Sequence, residues 1–540
     1  MPTRARRTLF SLVIFFATCG LIGMMIDQKV GAQSSTDEST FRDNLRSFTN
    51  VYDVVAQNYA DPLTGDKPGK VIYDGAIPGM LRTLDPHSSF YDPKAYAKMR
   101  EDQHGKYYGV GMTIQPQGVG TAQKIVVVFP FEGTPSYRAG IRPGDVIAAV
   151  DGKSTDSLGS EEVANMLKGP KGTHVQVTLI REGAPKPLVF DLIRDEIPHN
   201  SVDLKFEIRP GIGYIHLTGF QETTGREISD ALESFGEPKG LVLDLRGNPG
   251  GLLSEAVAVC DKFLHRGQII VSQRGRAYPE QVYRATHGES GQEYPVVVLV
   301  NHGTASAAEI VSGALQDHDR ALIVGETTFG KGLVQTVYQI SENTGLALTT
   351  YHYYTPSGRL IQRNYDGVSL YDYYYNHDKP LDTKDREVKL TDSGRTVYGG
   401  GGITPDDQID TPKSNHFQEI LLGHYAFFNF SKHYLANRTV TKDFTVNDEV
   451  LGEFKDFLKA NDIAYTDQDI AGVRDWIDAN IQSEIFTSQF GQQEGLKIRA
   501  QWDPMIQKAL GYLPQAQSLE ENAEKVVAMK ASARSAASPE

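Results

Sequence analysis

The run Val296-Val297-Val298-Leu299-Val300 is apolar at every position, so it cannot be the edge of a sheet with one wet face. It reads as a strand buried on both sides, followed by a turn and by a helix over 307–315. The same plan recurs twice. Residues 241–245 form a short apolar strand leading through a glycine loop into a helix over 253–264, and residues 321–324 form a third buried strand. Repeated strand–loop–helix units imply α/β layering, with functional loops at the C-terminal ends of the strands.

The remainder of the chain divides around this core. At 540 residues it is too long for one compact core, and three or four units are expected. Arg4, Arg6 and Arg7 precede an uncharged stretch, 8–26, and then Val30-Gly31-Ala32. A basic start, an apolar run and a small-residue cleavage site make residues 1–32 a signal peptide. The run is also just long enough to serve as an uncleaved membrane anchor. In either case the bulk of the chain is expected outside the cytoplasm, in the periplasm or cell envelope. Cys19 lies in that segment, which leaves Cys260 alone, with no disulfide or zinc cluster available to it. The formal net charge of −14 argues against a nucleic-acid surface, which needs clustered Lys and Arg.

Apolar residues at Phe41, Leu45, Phe48, Val51, Tyr52 and Val55 recur at helical spacing, and a second helix over 71–84 stops near Asp85-Pro86. These make a helical N-terminal region, 36–100. Residues 101–196 change character, with short strands at 108–114, 124–128, 146–150 and 175–180 and one amphipathic helix at 160–167. After 411 the strand signals fade, and 417–434, 448–460 and 467–481 read as helices. The small, polar end at 530–540 is expected to fray.

Tyr108-Gly109-Val110-Gly111-Met112, followed by Ala139-Gly140-Ile141-Arg142-Pro143-Gly144-Asp145-Val146-Ile147 and Val150-Asp151-Gly152, resembles a PDZ domain. In that family the glycine segment is a loop whose amides hold the terminal carboxylate of a peptide. The physics agrees, because small residues expose a nest of N–H donors to an anion, and the peptide then adds as a strand. Glycines that merely make turns are the plainer reading of the first segment alone; the second signature at domain-like spacing favours PDZ.

Ser306 follows a buried strand and starts a helix, which sets its hydroxyl beside the unpaired N–H groups of the first turn. Ala307 N–H is then an oxyanion donor, although an N-cap is what serine most often makes there. Lys331 changes that balance. It stands between Gly330 and Gly332, where another backbone or a substrate can approach closely. A neutral lysine can serve as the base that serine needs. Its pKa must fall well below the free value of about 10.4, which burial can achieve. The plainer reading is an exposed loop lysine.

Ser306 with Glu309, then Thr328-Phe329-Gly330-Lys331-Gly332 with Gln335, resembles the C-terminal processing peptidases, or tail-specific proteases. Asp85-Pro86-His87-Ser88, Leu243-Asp244-Leu245-Arg246-Gly247-Asn248-Pro249-Gly250-Gly251, Tyr354-Thr355-Pro356-Ser357-Gly358 and Gly402-Ile403-Thr404-Pro405-Asp406 match in the family's order. The resemblance covers roughly residues 40 to 410. It implies an α/β serine-protease core of crotonase/ClpP-like layering at 197–410, an inserted PDZ domain at 101–196 and a C-terminal helical region at 411–540. It also implies Ser306 as nucleophile, Lys331 as general base, Gln335 orienting the lysine, Gly250 as a second oxyanion donor and Glu309 in support. The carboxylate-binding residues are Tyr108 to Met112, and no cofactor or metal is implied. Expected partners are polypeptides with accessible C-termini; the sequence leaves open an adaptor or regulatory protein, an oligomer, and membrane contact through an uncleaved N-terminal segment. A regular strand from Leu333 sets Lys331 and Gln335 on one face but about 13 Å apart, so contact requires a bend at Gly332 or a helical turn.

Three other readings fare worse. Gly325 to Lys331 matches seven positions of a phosphate-binding loop, but Gly332 stands where magnesium needs Ser or Thr, and a strand-like run follows in place of a helix. HExxH, paired Cys-x-x-Cys and GxSxG are all missing, and His302, His318 and His352 read as surface or supporting histidines. A coenzyme A signature is missing too. The alternative that remains is a catalytically inactive, PDZ-bearing binding or regulatory protein on the same scaffold.

Overall fold

The computed structural model describes residues 35–118, 123–287, 294–375 and 386–537. The expected export segment at 1–32 lies outside them. The chain forms two compact units, one up to Leu84 and one from Asp85 onward. The first is helical: Ser35–Asn58, then Lys67–Lys70, a π-helical turn Val71–Ala76, and Ile77–Arg82.

In the second unit the all-apolar run sits mid-sheet. Six strands lie in the order Val202–Arg209, Ile212–Leu217, Gly240–Asp244, Val296–Val300, Leu322–Gly325 and Asp407–Gln408. The first pair is antiparallel and all others are parallel. Successive side chains point to opposite faces. Leu241, Leu243, Val296, Val298 and Ile323 accordingly share a core with Ala256 and Val259 of the helix Leu253–Cys260 and with Val311 and Ala314 of Ala307–Asp317. Val242, Val297, Leu299, Leu322 and Val324 face the other way, onto Met505, Ile506, Ala509, Leu510 and Leu513. The second face is thus covered by the end of the chain, the helices Pro504–Gly511 and Leu513–Ala537. Residues 416–490 build a separate helical core around Leu421, Phe430, Phe454 and Ile481.

A second, antiparallel sheet joins Ser89–Tyr91, Ile269–Arg274, Gln281–Arg284, Leu333–Ser341 and Thr344–Tyr354. A third has six strands between Met112 and Ile193 and packs on Val163 and Leu167 of the helix Ser160–Leu167. The fold is therefore a mixed α/β core with a separable β-rich insertion and helical regions toward both ends.

Several local expectations change, among them the helix over 467–481, which is two, Asp467–Gly472 and Arg474–Phe490. The strand expected over 108–114 is two strands, Lys106–Gly109 and Met112–Gln117, because Gly111 adopts a φ of 77° and turns the chain. The helix over 417–434 is two, His416–Gly423 and Ala426–Leu435, parted at Tyr425 with φ 51°. The helix Leu513–Ala537 runs into the stretch expected to fray, where Ala, Lys and Arg are strong helix formers.

Candidate active site

The strand Val296–Val300 ends in a turn that hydrogen bonds hold from both sides. Asn301 Oδ1 accepts from Gly247 N–H at 2.9 Å and Gly303 N–H at 3.0 Å. Thr304 Oγ1 donates to Leu245 O at 2.8 Å, and Ala305 N–H donates to Asn248 O at 2.9 Å. The turn delivers Ser306 with φ 55° and ψ −115°, a strained backbone for a residue with a Cβ. The Ser306 side chain makes no capping hydrogen bond, so the hydroxyl is not spent on the helix it starts.

Gly250 lies directly against this elbow, with φ 95°. A Cβ added there would stand 2.7 Å from Ala305 O and 2.8 Å from both Ala307 N and Ser306 Cβ, so no other residue fits. Gly250 N–H donates to Asn248 Oδ1 at 2.9 Å, and Asn248 Nδ2 donates to Leu217 O at 2.8 Å. Both amides expected as oxyanion donors therefore border Ser306, one of them engaged by Asn248.

Lys331 is brought to the same place by Glu309. That carboxylate is fully buried one helical turn beyond Ser306. Its Oε2 accepts Ser306 N–H at 2.8 Å and Lys331 N–H at 2.9 Å; its Oε1 accepts Gly330 N–H at 2.8 Å and the Thr328 hydroxyl. Phe329 N–H adds a bond of 2.9 Å to Thr304 O. Burial pushes the Glu309 carboxyl above its ordinary range, against these four donors, which favour the charged form. Burial likewise pulls the Lys331 amine below its ordinary value, against the negative charges of Glu309 and Asp85.

The glycines beside Lys331 permit close packing of other backbone. A Cβ on Gly330 would stand 2.9 Å from Gly402 N, and one on Gly332 would stand 2.8 Å from Gln362 N. Gln335 points to Thr349, donating to its Oγ1 at 3.1 Å; Lys331 is not its partner. Lys331 and Gly332 precede the strand, which begins at Leu333, and a bulge separates Val334↔Tyr351 from Gln335↔Thr349. Thr349 N–H in turn donates to Ser88 Oγ at 3.1 Å, and Ser88 Oγ donates to Asp85 Oδ2 at 2.7 Å. No periodicity marks Asn248, Ser88 or Asp85 as site neighbours; only their place in family-like motifs singled them out.

His302 and His318 stand apart from this chemistry, paired with Glu326 at 2.9 Å and Asp392 at 2.7 Å. In the β-rich insertion, the Val110 carbonyl accepts from Ser136 N–H at 2.9 Å and the Gly111 carbonyl from Phe131 N–H at 2.9 Å. Tyr108 is exposed, Met112 is buried, and a Cβ on Gly111 would overlap Thr134 at 2.5 Å. The loop's carbonyls are anchored inward.

Comparison with known proteins matches the parts separately. The family model of peptidase family S41 fits residues 211–369, that of a PDZ domain residues 131–181, and that described as probable PDZ-protease, C-terminal helical domain, residues 417–469. The chain is 35% identical over 447 residues to the carboxy-terminal-processing protease of Bartonella bacilliformis, covering 78% of this chain and 98% of that protein. It is 32% identical over 363 residues to the carboxy-terminal processing protease CtpA of Bacillus subtilis, covering 67% and 76%. To the carboxyl-terminal-processing protease of Synechocystis sp. it is 37% identical over 296 residues, covering 53% and 68%.

Proposed function

The chain belongs to the carboxy-terminal processing proteases, and from that premise we propose that it cleaves exported polypeptides near their C-termini with Ser306 as nucleophile and Lys331 as general base. One observation carries the assignment: a single buried oxygen, Glu309 Oε2, accepts the backbone N–H of both residues. The two are thereby held on one carboxylate, although the loop and the helix come from different strand ends.

The neutral Lys331 amine takes the Ser306 hydroxyl proton as Ser306 Oγ bonds to the scissile carbonyl carbon. Negative charge moves to the carbonyl oxygen, which Ala307 N–H and Gly250 N–H stabilise; Asn248 shares the second donor. The protonated lysine returns its proton to the departing amine as the C–N bond breaks. Water then attacks the acyl-serine ester, again with the lysine as base, and Ser306 regains its proton. Gln335, through Thr349, braces the strand that follows the lysine. The insertion at 101–196 captures the substrate's terminal carboxylate on the amides of Tyr108 to Met112, a role supported by the inward anchoring of the loop's carbonyls.

On this reading the domains are the N-terminal helical region at 36–100, the PDZ domain, a protease core at 197–410 with crotonase/ClpP-like layering, and the helical region at 411–540. The basic, apolar N-terminus supports a location in the periplasm or cell envelope. The test is digestion of an unstructured protein by the wild type and by Ser306→Ala and Lys331→Ala. Each variant should lose about 10³-fold or more in turnover; equal turnover by Ser306→Ala would eliminate this mechanism, and a wild type without turnover would leave the inactive, peptide-binding alternative standing. Amidating the substrate's C-terminus should lower kcat/KM about tenfold by removing the charge that the loop amides bind; indistinguishable rates would remove carboxylate capture from the scheme.

A further inference from the structure

The turn Asp85-Pro86-His87-Ser88 has no part in the steps above, yet it closes on the lysine loop. Asp85 Oδ1 accepts the N–H groups of His87 and Ser88, each at 2.7 Å, which fixes the turn. The chain then pairs with Thr344–Tyr354 through Ser89↔Ala347, which pins the turn to the sheet that carries Gln335. The imidazole is held at both nitrogens: Nε2 lies 2.9 Å from the Tyr373 hydroxyl and Nδ1 3.4 Å from the Tyr374 hydroxyl.

The residues on either side of Lys331 are tied to the same ring. Gly332 N–H donates to Gln362 Oε1 at 2.8 Å, and Gln362 Nε2 donates to the Tyr373 hydroxyl at 3.1 Å. The Phe329 ring meets His87 edge-on at 6.4 Å and Tyr373 at 5.4 Å. The charged groups at this corner are Glu309 and Asp85, which favour a protonated lysine, and Arg363, 4.7 Å from the Phe329 and Tyr373 ring centres. His87 adds no charge of its own near neutrality. Burial, and then the positive charge of Lys331, pull it down to about 4.

We propose that His87 is a positioning residue for the base: its neutral ring, clamped by Tyr373 and the Asp85 turn, excludes water from the Lys331 amine so that this amine can accept the Ser306 proton. The proposal rests on Lys331 being the base. A buried amine loses its proton more easily than a hydrated one, so opening the wall must raise the pH at which activity appears.

The experiment is the pH dependence of kcat/KM for the full chain on a peptide with a free C-terminus, comparing wild type, His87→Ala, His87→Phe, Tyr373→Phe and Lys331→Ala. In His87→Ala the acidic limb should move up by about half to one pH unit, with the alkaline plateau within about twofold of wild type. His87→Phe, which keeps an apolar ring, should hold the limb near its wild-type place, and Tyr373→Phe should move it up by less than His87→Ala does. An unmoved limb in both His87→Ala and Tyr373→Phe overturns the proposal. So does a plateau lost at every pH in His87→Ala, which would give the imidazole a part beyond excluding water. If His87→Ala does not fold, as judged by its thermal transition, Tyr373→Phe alone decides. Activity retained by Lys331→Ala removes the premise instead, and is read independently of where the limb lies.

Discussion

Ser306 stands on a turn held chiefly from neighbouring strand ends of the parallel sheet, whereas Lys331 rides on a loop held by segments from four distant parts of the chain. The elbow is fixed by Leu245, Gly247, Asn248 and Asn301, at adjacent strand ends. The lysine loop is fixed by Glu309, by Gln362 and Arg363, by Gly402 and, through Tyr373, by His87. The geometry of the Ser306 turn is therefore part of the fold's core, and damage there should cost structure and, on the proposed mechanism, activity together. The environment of Lys331 is assembled from the periphery, so it can be detuned while the fold survives. Enclosing an amine also opposes stability, so the lysine half should hold activity at the expense of stability.

The largest test of this contrast falls on the nucleophile half. Gly250→Ala forces a Cβ to 2.7 Å from Ala305 O at a φ of 95°, with backbone on the other side that cannot yield. It should lose about 10²-fold or more in kcat and about 2 kcal/mol or more of stability. Turnover and urea unfolding of the same preparation check both; a stable but inactive protein would break the contrast. The second test goes to the base. The folded-state pKa of Lys331 is depressed from 10.5, so the unfolded chain binds the proton more tightly. Stability therefore rises with pH through the window between the folded value and 10.5, and the full penalty is present below it. Lys331→Met should be inactive yet more stable than wild type at neutral and acidic pH, with the gain fading as pH approaches 10.5. Melting temperatures across pH decide this, and a less stable variant at every pH would show that the amine is not penalised by burial. The smallest effect is expected of Ser88→Ala, which leaves Thr349 N–H without its acceptor. A loss of about 1 kcal/mol should accompany a fall in kcat of about fivefold as Gln335 loses its brace. An unchanged kcat would confine the turn's role to His87.

The same division separates what could be read along the chain from what could not. The elbow was legible because it is local: an apolar strand, a turn and a helix start occupy 296–307 without interruption, and the strand Val296–Val300 has the bounds expected of it. The helices Ser160–Leu167 and Asp448–Ala460 were equally plain, since their amphipathic spacing is contained within each segment. The geometry around Gln335 was not. A regular strand from Leu333 left its contact with the lysine unresolved, and the bulge opposite Val334, together with Thr349 as partner, depends on how two strands pair. Nor could the helices after Asp503 be assigned a place. Met505, Ile506 and Leu510 mark an apolar face, but only packing puts that face on the underside of the sheet.

Residue order along one strand and helix settled the layered class, the turn at Ser306 and the family motifs, because hydrophobic period and backbone demands at glycine act over a few residues. The meeting of Ser306, Glu309 and Lys331, the ring of His87 against the lysine loop and the closing of the sheet's second face were decided by the folded chain alone. Each depends on a contact between segments tens to hundreds of residues apart. Desolvation of an amine is a property of everything that surrounds it, and no local spacing encodes that enclosure.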